Sequence, residues 1–147
     1  MVSDLDVAMR LVLSVVLGGL IGLERQLHRR AAGLRTHILV SLGSCLIMLT
    51  SMFVSDIYKG VANIDPSRIA SGVITGIGFL GAGAIMRERE REAVKGLTTA
   101  ASLWVVAGIG LAVGCGFYSA SLVTSVLALV SLFVLGRAER KLLNKNE

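Results

Sequence analysis

Ten polar positions have the types and spacing that chemistry could use: Glu24, Arg25, Arg35, Thr36, Asp65, Arg68, Arg87, Lys95, Thr98 and Thr99. None makes a hydrolytic centre, because no nucleophile stands with a base and an orienting acid by sequence signal. Glu24, Arg25, Arg35, Arg87 and Lys95 together carry surplus positive charge, which is the chemistry for holding an anion such as a lipid head group or a partner's carboxylate. The plainer reading is positive charge set by topology, with a Glu24–Arg35 ion pair. Lys95-Gly96-Leu97-Thr98-Thr99 lacks the Gly-Lys-Ser/Thr order of a phosphate loop. Thr98 or Thr99 is expected to cap a following helix, with anion or partner binding at that helix terminus as the alternative.

Gly76, Gly78 and Gly81 spell G-x-G-x-x-G, but a dinucleotide site needs a preceding strand and a helix opening at the glycines. Here they lie inside a long apolar run with Gly72 and Gly83. Their spacing covers more than one helix face, which predicts close approach by neighbouring helices or a bend. Cys45 and Cys115 have no CxxC or His neighbour, so neither a disulfide nor a metal site is expected. His28 and His37 read as surface residues of a polar connector.

The elements that must position these residues are membrane-length helices. With 54% hydrophobic residues, one Pro and a mean hydropathy of +0.74, the 147-residue chain has more apolar surface than one soluble core can hide. Five spans are expected, at about 5–23, 38–58, 69–86, 97–113 and 117–136, in a single domain (1–147) closed by a short basic tail, 137–147. The expected fold is therefore an all-α, multi-pass membrane helical bundle.

The +5 net charge sits in clusters between apolar runs and not on one aromatic-laced face, which argues against nucleic acid. The first connector, the third and the tail hold four Lys or Arg each, the second holds Lys59 and Arg68, and the fourth none. By the positive-inside rule the N-terminus is outside and the C-terminus cytoplasmic.

Local signals refine the spans. Gly18 and Gly22 form a G-x-x-x-G pair suited to close helix approach. Arg10, less than two turns inside the first span, is expected to snorkel with help from Asp6, or to pair within the membrane with Asp65. Asp65-Pro66 is a good helix start. The alternating charges from Arg87 to Glu92 pair at i, i+3 if the third helix continues beyond its span.

DPSRIA, GIGFLGAGAIMRE and VKGLTTAASLW, preceded by GGLIGLERQ and AGLRTHILVSLG, closely resemble the MgtC/SapB family of bacterial inner-membrane proteins, over almost the whole chain. The resemblance implies a five-helix membrane domain with its N-terminus out. It also implies a role in adaptation to low magnesium and in survival inside macrophages. The family is reported to act as a regulator through membrane partners, including the membrane sector of the F-type ATP synthase, and is not established as a magnesium transporter. Motif positions carried over are Glu24, Arg25, Gly33, Arg35, Thr36, Asp65, Arg68, Gly76, Gly78, Phe79, Gly81, Gly83, Arg87, Gly96, Thr99 and Trp104. Gly72 stands where many relatives carry Gln, and Thr98 and Val105 depart from the Asn and Cys of the virulence branch.

Two functions follow as expectations. A magnesium pathway needs hard oxygen ligands near mid-membrane, and no span offers a central carboxylate. The favoured reading is a non-enzymatic interaction module without cofactor or metal, located in the lipid bilayer of the inner membrane. Its helix-packing face, Gly72, Gly76, Gly78, Phe79, Gly81, Gly83 and Trp104, docks a membrane-protein partner and a second copy of itself, a dimer being the simplest homo-oligomer. The alternative is a small oligomeric transporter or channel for magnesium or another ion.

Overall fold

The computed structural model describes residues 2–60, 64–87 and 94–136. Among them the chain forms five α-helices: α1 (Asp4–Leu27), α2 (Leu34–Ile57), α3 (Pro66–Ala84), α4 (Leu97–Gly114) and α5 (Tyr118–Val130). After Val130 the last helix continues as a π-helical turn, Ser131–Leu135. A two-residue antiparallel ladder, β1 (Met86–Arg87) with β2 (Val94–Lys95), closes the α3–α4 hairpin. The chain thus leaves helical geometry at Ala84, so α3 does not run on into the charged connector as the i, i+3 pairing required. Residues 88–93 of that connector and the basic tail 137–147 lie outside the described residues.

Local chemistry explains the helix starts. Ser3 Oγ accepts the Asp6 N–H at 3.2 Å, and Asp4 and Asp6 place negative charge in the first turn of α1, where the helix dipole favours it. Asp65 Oδ1 accepts the Ser67 N–H at 2.8 Å and Pro66 takes the first helical position of α3. α4 starts differently from expectation: Gly96 precedes it with φ +94° and no side-chain cap is made, so neither Thr98 nor Thr99 serves as N-cap. A Cβ at Gly96 would stand 1.9 Å from the Ala84 carbonyl oxygen, so the hairpin closes only around a glycine.

Three helices, α1, α2 and α4, are long and apolar enough to cross a membrane. α3 has 19 residues but opens with Pro66, Ser67 and Arg68, which lower its mean hydropathy, and the apolar stretch Tyr118–Val134 is shorter. α2 starts at Leu34, so the segment through His37 belongs to the helix and not to the connector.

α2 and α4 form the centre, α4 touching every other helix and α2 packing most extensively against α1 and α4. Glycines permit both contacts. A Cβ on Gly18 would lie 2.6 Å from Ser41 Cβ, and one on Gly22 would lie 2.8 Å from His37 Cβ. From the other side, a Cβ on Gly110 would lie 2.2 Å from the Ser41 carbonyl oxygen, and one on Gly114 2.7 Å from that of Cys45. Glycine therefore lets the helix backbones meet nearly in direct contact, the packing mode of membrane helices. Leu17, Ile21, Cys45, Leu49, Val106, Ile109 and Val113 fill the remaining core.

The polarity of this bundle is inverted relative to a water-soluble one. Ser14, His37, Ser41, Ser44, Ser51, Thr99, Ser102, Ser121 and Ser125 are buried, while Val12, Val16, Leu46, Phe53, Phe79, Val123 and Leu127 are exposed. Several interior hydroxyls donate to carbonyls of their own helix: Ser14 to Leu11 (2.7 Å), Ser44 to Val40 (2.7 Å), Ser125 to Ser121 (2.7 Å). Small polar residues inside and large apolar ones outside suit a hydrocarbon surround, where exposed apolar area carries no penalty.

Candidate functional site

The candidate residues separate into three places. At the end of the bundle where α1 stops and α2 and α4 start, the basic end, Glu24 and Arg25 are both buried, at 8% and 3% exposure. Arg25 Nε donates to Glu24 Oε2 at 2.5 Å. His28 Nδ1 lies 3.0 Å from Glu24 Oε1 and 2.9 Å from the Glu24 carbonyl oxygen, with hydrogen-bond geometry toward the carbonyl alone. Oε1 is thus left without a hydrogen bond among the described residues. The Glu24–Arg35 pair expected from the sequence is not formed, because α1 turns Glu24 inward and Arg35 is exposed on the first turn of α2. Glu24 also borders an apolar cleft of about 250 Å³ with Leu129, Val130, Phe133 and Val134, beside the π-helical turn.

Next to this pair lies a site that sequence reasoning missed. His37, read as a surface residue, is fully buried. Its Nδ1 is 2.8 Å from the Gly33 carbonyl oxygen and its Nε2 is 3.0 Å from Ser102 Oγ, which itself donates to the Thr99 carbonyl at 2.8 Å. The chain His37–Ser102–Thr99 links the first turn of α2 to the first turn of α4. Thr99 is buried beside it, whereas Thr98 and Lys95 are exposed and Arg87 pairs with Val94 in the ladder. One signal was available: His37, Ser41, Ser44, Ser51 and Ser55 recur at helical spacing, a polar stripe that in an apolar helix must face the interior.

At the opposite end, Asp65 and Arg68 are exposed at the start of α3, with the Arg68 N–H donating to the Asp65 carbonyl at 3.2 Å. Hydrogen bonding from Ser67, through its side chain and its backbone N–H, holds the Asp65 carboxyl below the usual carboxylate range. Arg10, near this end, takes neither expected partner. Its Nη1 donates to the Gly114 carbonyl at 2.7 Å and its guanidinium lies 5.8 Å from the Tyr118 ring centroid. It clamps the α4–α5 turn, where Gly116 adopts φ +84° and a Cβ would stand 3.3 Å from the guanidinium.

The third place is the glycine face of α3, which the structure leaves uncovered. A Cβ at Gly72, Gly76, Gly78 or Gly83 would meet nothing within 4 Å, and one at Gly81 would touch Ala100 Cβ alone, at 3.7 Å. Close approach at these glycines is therefore not made within the chain, and α3 is a continuous helix across them. Gly72, Gly76, Phe79 and Gly83 fall in one stripe by helical spacing, with Phe79 80% exposed. Trp104 is likewise exposed, on α4. Beside the stripe, a groove of about 780 Å³ separates α3 from α2.

The profile of the MgtC family matches residues 11–141. YhiD of Escherichia coli (strain K12), a candidate magnesium transporter by name, is 43% identical over 139 residues, which cover 93% of this chain and 64% of that protein. MgtC of Salmonella typhimurium (strain LT2) is 42% identical over 134 residues, 91% of this chain and 54% of its own. SapB of Bacillus subtilis (strain 168) is 36% identical over 141 residues, 95% and 60% respectively. The chain spans between half and two thirds of the length of these relatives. No solved structure matches it.

Proposed function

The chain belongs to the MgtC family, and from that premise we propose that it is a multi-pass protein of the bacterial inner membrane that regulates other membrane proteins by helix docking, without catalysing a reaction. In this reading all five helices cross the bilayer, with the N-terminus outside and the C-terminus cytoplasmic. The Lys and Arg distribution supports that orientation. The 19 residues of α3 extend about 28 Å, close to the roughly 30 Å of hydrocarbon to be crossed.

One observation carries the docking reading: the most glycine-rich helix of the chain keeps its small-residue stripe free of its own neighbours. Gly18 and Gly22 of α1 and Gly110 and Gly114 of α4 are occupied by close contact with α2, so the same chemistry on α3 is available to a helix from outside. The candidate occupants are a second copy of the chain and a partner membrane protein, such as the membrane sector of the F-type ATP synthase. The physiological setting is adaptation to low magnesium.

Leucine at Gly76 and Gly83 tests this. Both positions have open space, so the variant keeps its fold and loses oligomer size on detergent chromatography and capture of the partner. Unchanged size and capture would overturn the docking face. A second reading, ion transport, is favoured by the name of the YhiD relative and by buried Glu24 with its unbonded oxygen. Magnesium flux into liposomes that is abolished by Glu24→Gln would promote it.

A further inference from the structure

We propose that Glu24 and the last helix form a binding site for a lipid-soluble molecule that carries a hydroxyl on an aromatic ring, of which a hydroquinone is the plainest example. This goes beyond the docking face, since α3 contributes nothing to the site.

The seating of the last helix creates the space. α5 packs chiefly on α4 and only lightly on α1, and beyond Val130 it widens into the π-helical turn, a rare geometry frequent at functional sites. Leu129 still reaches the core, whereas Val130, Phe133 and Val134 stay about half exposed. With Glu24 these four line the cleft of about 250 Å³, and Glu24 is its one polar side chain. An engineered cavity of about 150 Å³ holds a benzene, so this space takes one substituted ring. Its walls belong to the apolar exterior of the bundle, so an occupant arrives through lipid.

Hydrogen-bonding capacity selects the polar group. Glu24 is 8% exposed, and its Oε1 has no hydrogen bond among the described residues. An ionised carboxylate oxygen only accepts, so the missing partner is a donor. The neighbouring donors are spent. Arg25 Nε is on Oε2, and His28 Nδ1 faces the Glu24 carbonyl, which can only accept and so fixes the proton on that nitrogen. Arg25 lies outside the cleft lining, which leaves Oε1 as the carboxylate oxygen to serve the cleft.

Charge separates a neutral donor from a cation. Arg25 already balances the carboxylate, so an O–H completes the site, whereas an ammonium would add a third charge to a desolvated place. A ring hydroxyl joins that donor to a flat apolar body. The quinone of the same ring carries acceptors alone and would set a carbonyl oxygen against Oε1. The site therefore tells the reduced form of one ring from the oxidised form.

The test is calorimetric titration of the full chain in lipid nanodiscs, anaerobically and against empty discs, with decylhydroquinone, its quinone and its dimethyl ether. The wild type should bind one hydroquinone about tenfold more tightly than either of the others, the fold-change equivalent of ~1.4 kcal/mol for a hydrogen bond to a charged acceptor. Glu24→Gln should reverse the order of hydroquinone and quinone, because the amide oxygen stays on Arg25 Nε and the amide NH₂ replaces Oε1 as a donor. Val134→Trp, which fills the cleft from an exposed position, should abolish binding of all three while leaving the helical circular dichroism intact. No hydroquinone binding above empty discs, equal affinity of the wild type for hydroquinone and dimethyl ether, or binding that both variants leave unchanged overturns the proposal. Tighter binding of decylammonium than of the hydroquinone also overturns it, and makes a cation the occupant.

Discussion

Replacing Gly110 by alanine puts a methyl carbon 2.2 Å from the Ser41 carbonyl oxygen and 2.8 Å from Ser44 Cβ. Carbon and carbonyl oxygen rest at about 3.3–3.6 Å, so α4 has to retreat from α2 by about 1 Å. Retreat loosens Val106, Ile109 and Val113, which are buried against the same neighbours. Overpacking of this kind costs about 1–3 kcal/mol, against a gain of up to ~1 kcal/mol for alanine over glycine in a helix. The same substitution at Gly76 meets nothing within 4 Å and keeps the gain alone. The two alanine variants should therefore differ in unfolding free energy by about 1–3 kcal/mol, Gly110→Ala being the weaker. Reversible unfolding in mixed micelles, titrated with a denaturing detergent and followed by circular dichroism, measures this directly. Equal midpoints would refute the account of α2 as a helix clasped by glycines.

His37→Ala should destabilise the bundle by about 1–3 kcal/mol in the same titration, because it removes the Nε2–Ser102 bond between α2 and α4 and empties the space of a fully buried side chain. The Asp65 cap should weaken in acid. Its carboxyl ionises at lower pH folded than unfolded, so its contribution is fully present above the unfolded value and fades as pH falls through the folded one. Hydrogen exchange at Ser67 should speed up at low pH in the wild type relative to Asp65→Asn, which caps without titrating.

The helix starts were legible wherever the signal was local. Asp65-Pro66 names the first residues of α3, and the Gly18–Gly22 pair marks a surface that a neighbour does approach. Which neighbour meets which glycine was not legible. Spacing says that a helix can be approached, and identical chemistry on α3 and α4 leads to an open stripe in one and to Gly110 against Ser41 in the other. His37 was misplaced because hydropathy alone draws a boundary at Ile38, whereas the hydrogen bonds of α2 start at Gly33. The role of Thr99 followed the same error, since its carbonyl accepts from Ser102 one turn on in α4, which bonds His37 across the interface. Arg10 was assigned a charged partner by arithmetic of signs, yet it meets a backbone carbonyl through Nη1 and an aromatic ring, with no second charge to desolvate and its Nε left unbonded.

The polar stripe of α2 also bears on biogenesis. Until α4 has left the ribosome, His37, Ser41 and Ser44 have α1 to cover them only on the flank beside Gly18 and Gly22, while Ser51 is covered once α3 arrives. About 57 residues separate the ends of α2 and α4, which at 5–20 residues per second is roughly 3–11 s of synthesis. During that interval the flank of α2 that will meet α4 has no protein neighbour. The insertion machinery therefore has to shelter α2 until its second glycine-bearing neighbour arrives, which makes the timing of translation part of how this bundle assembles.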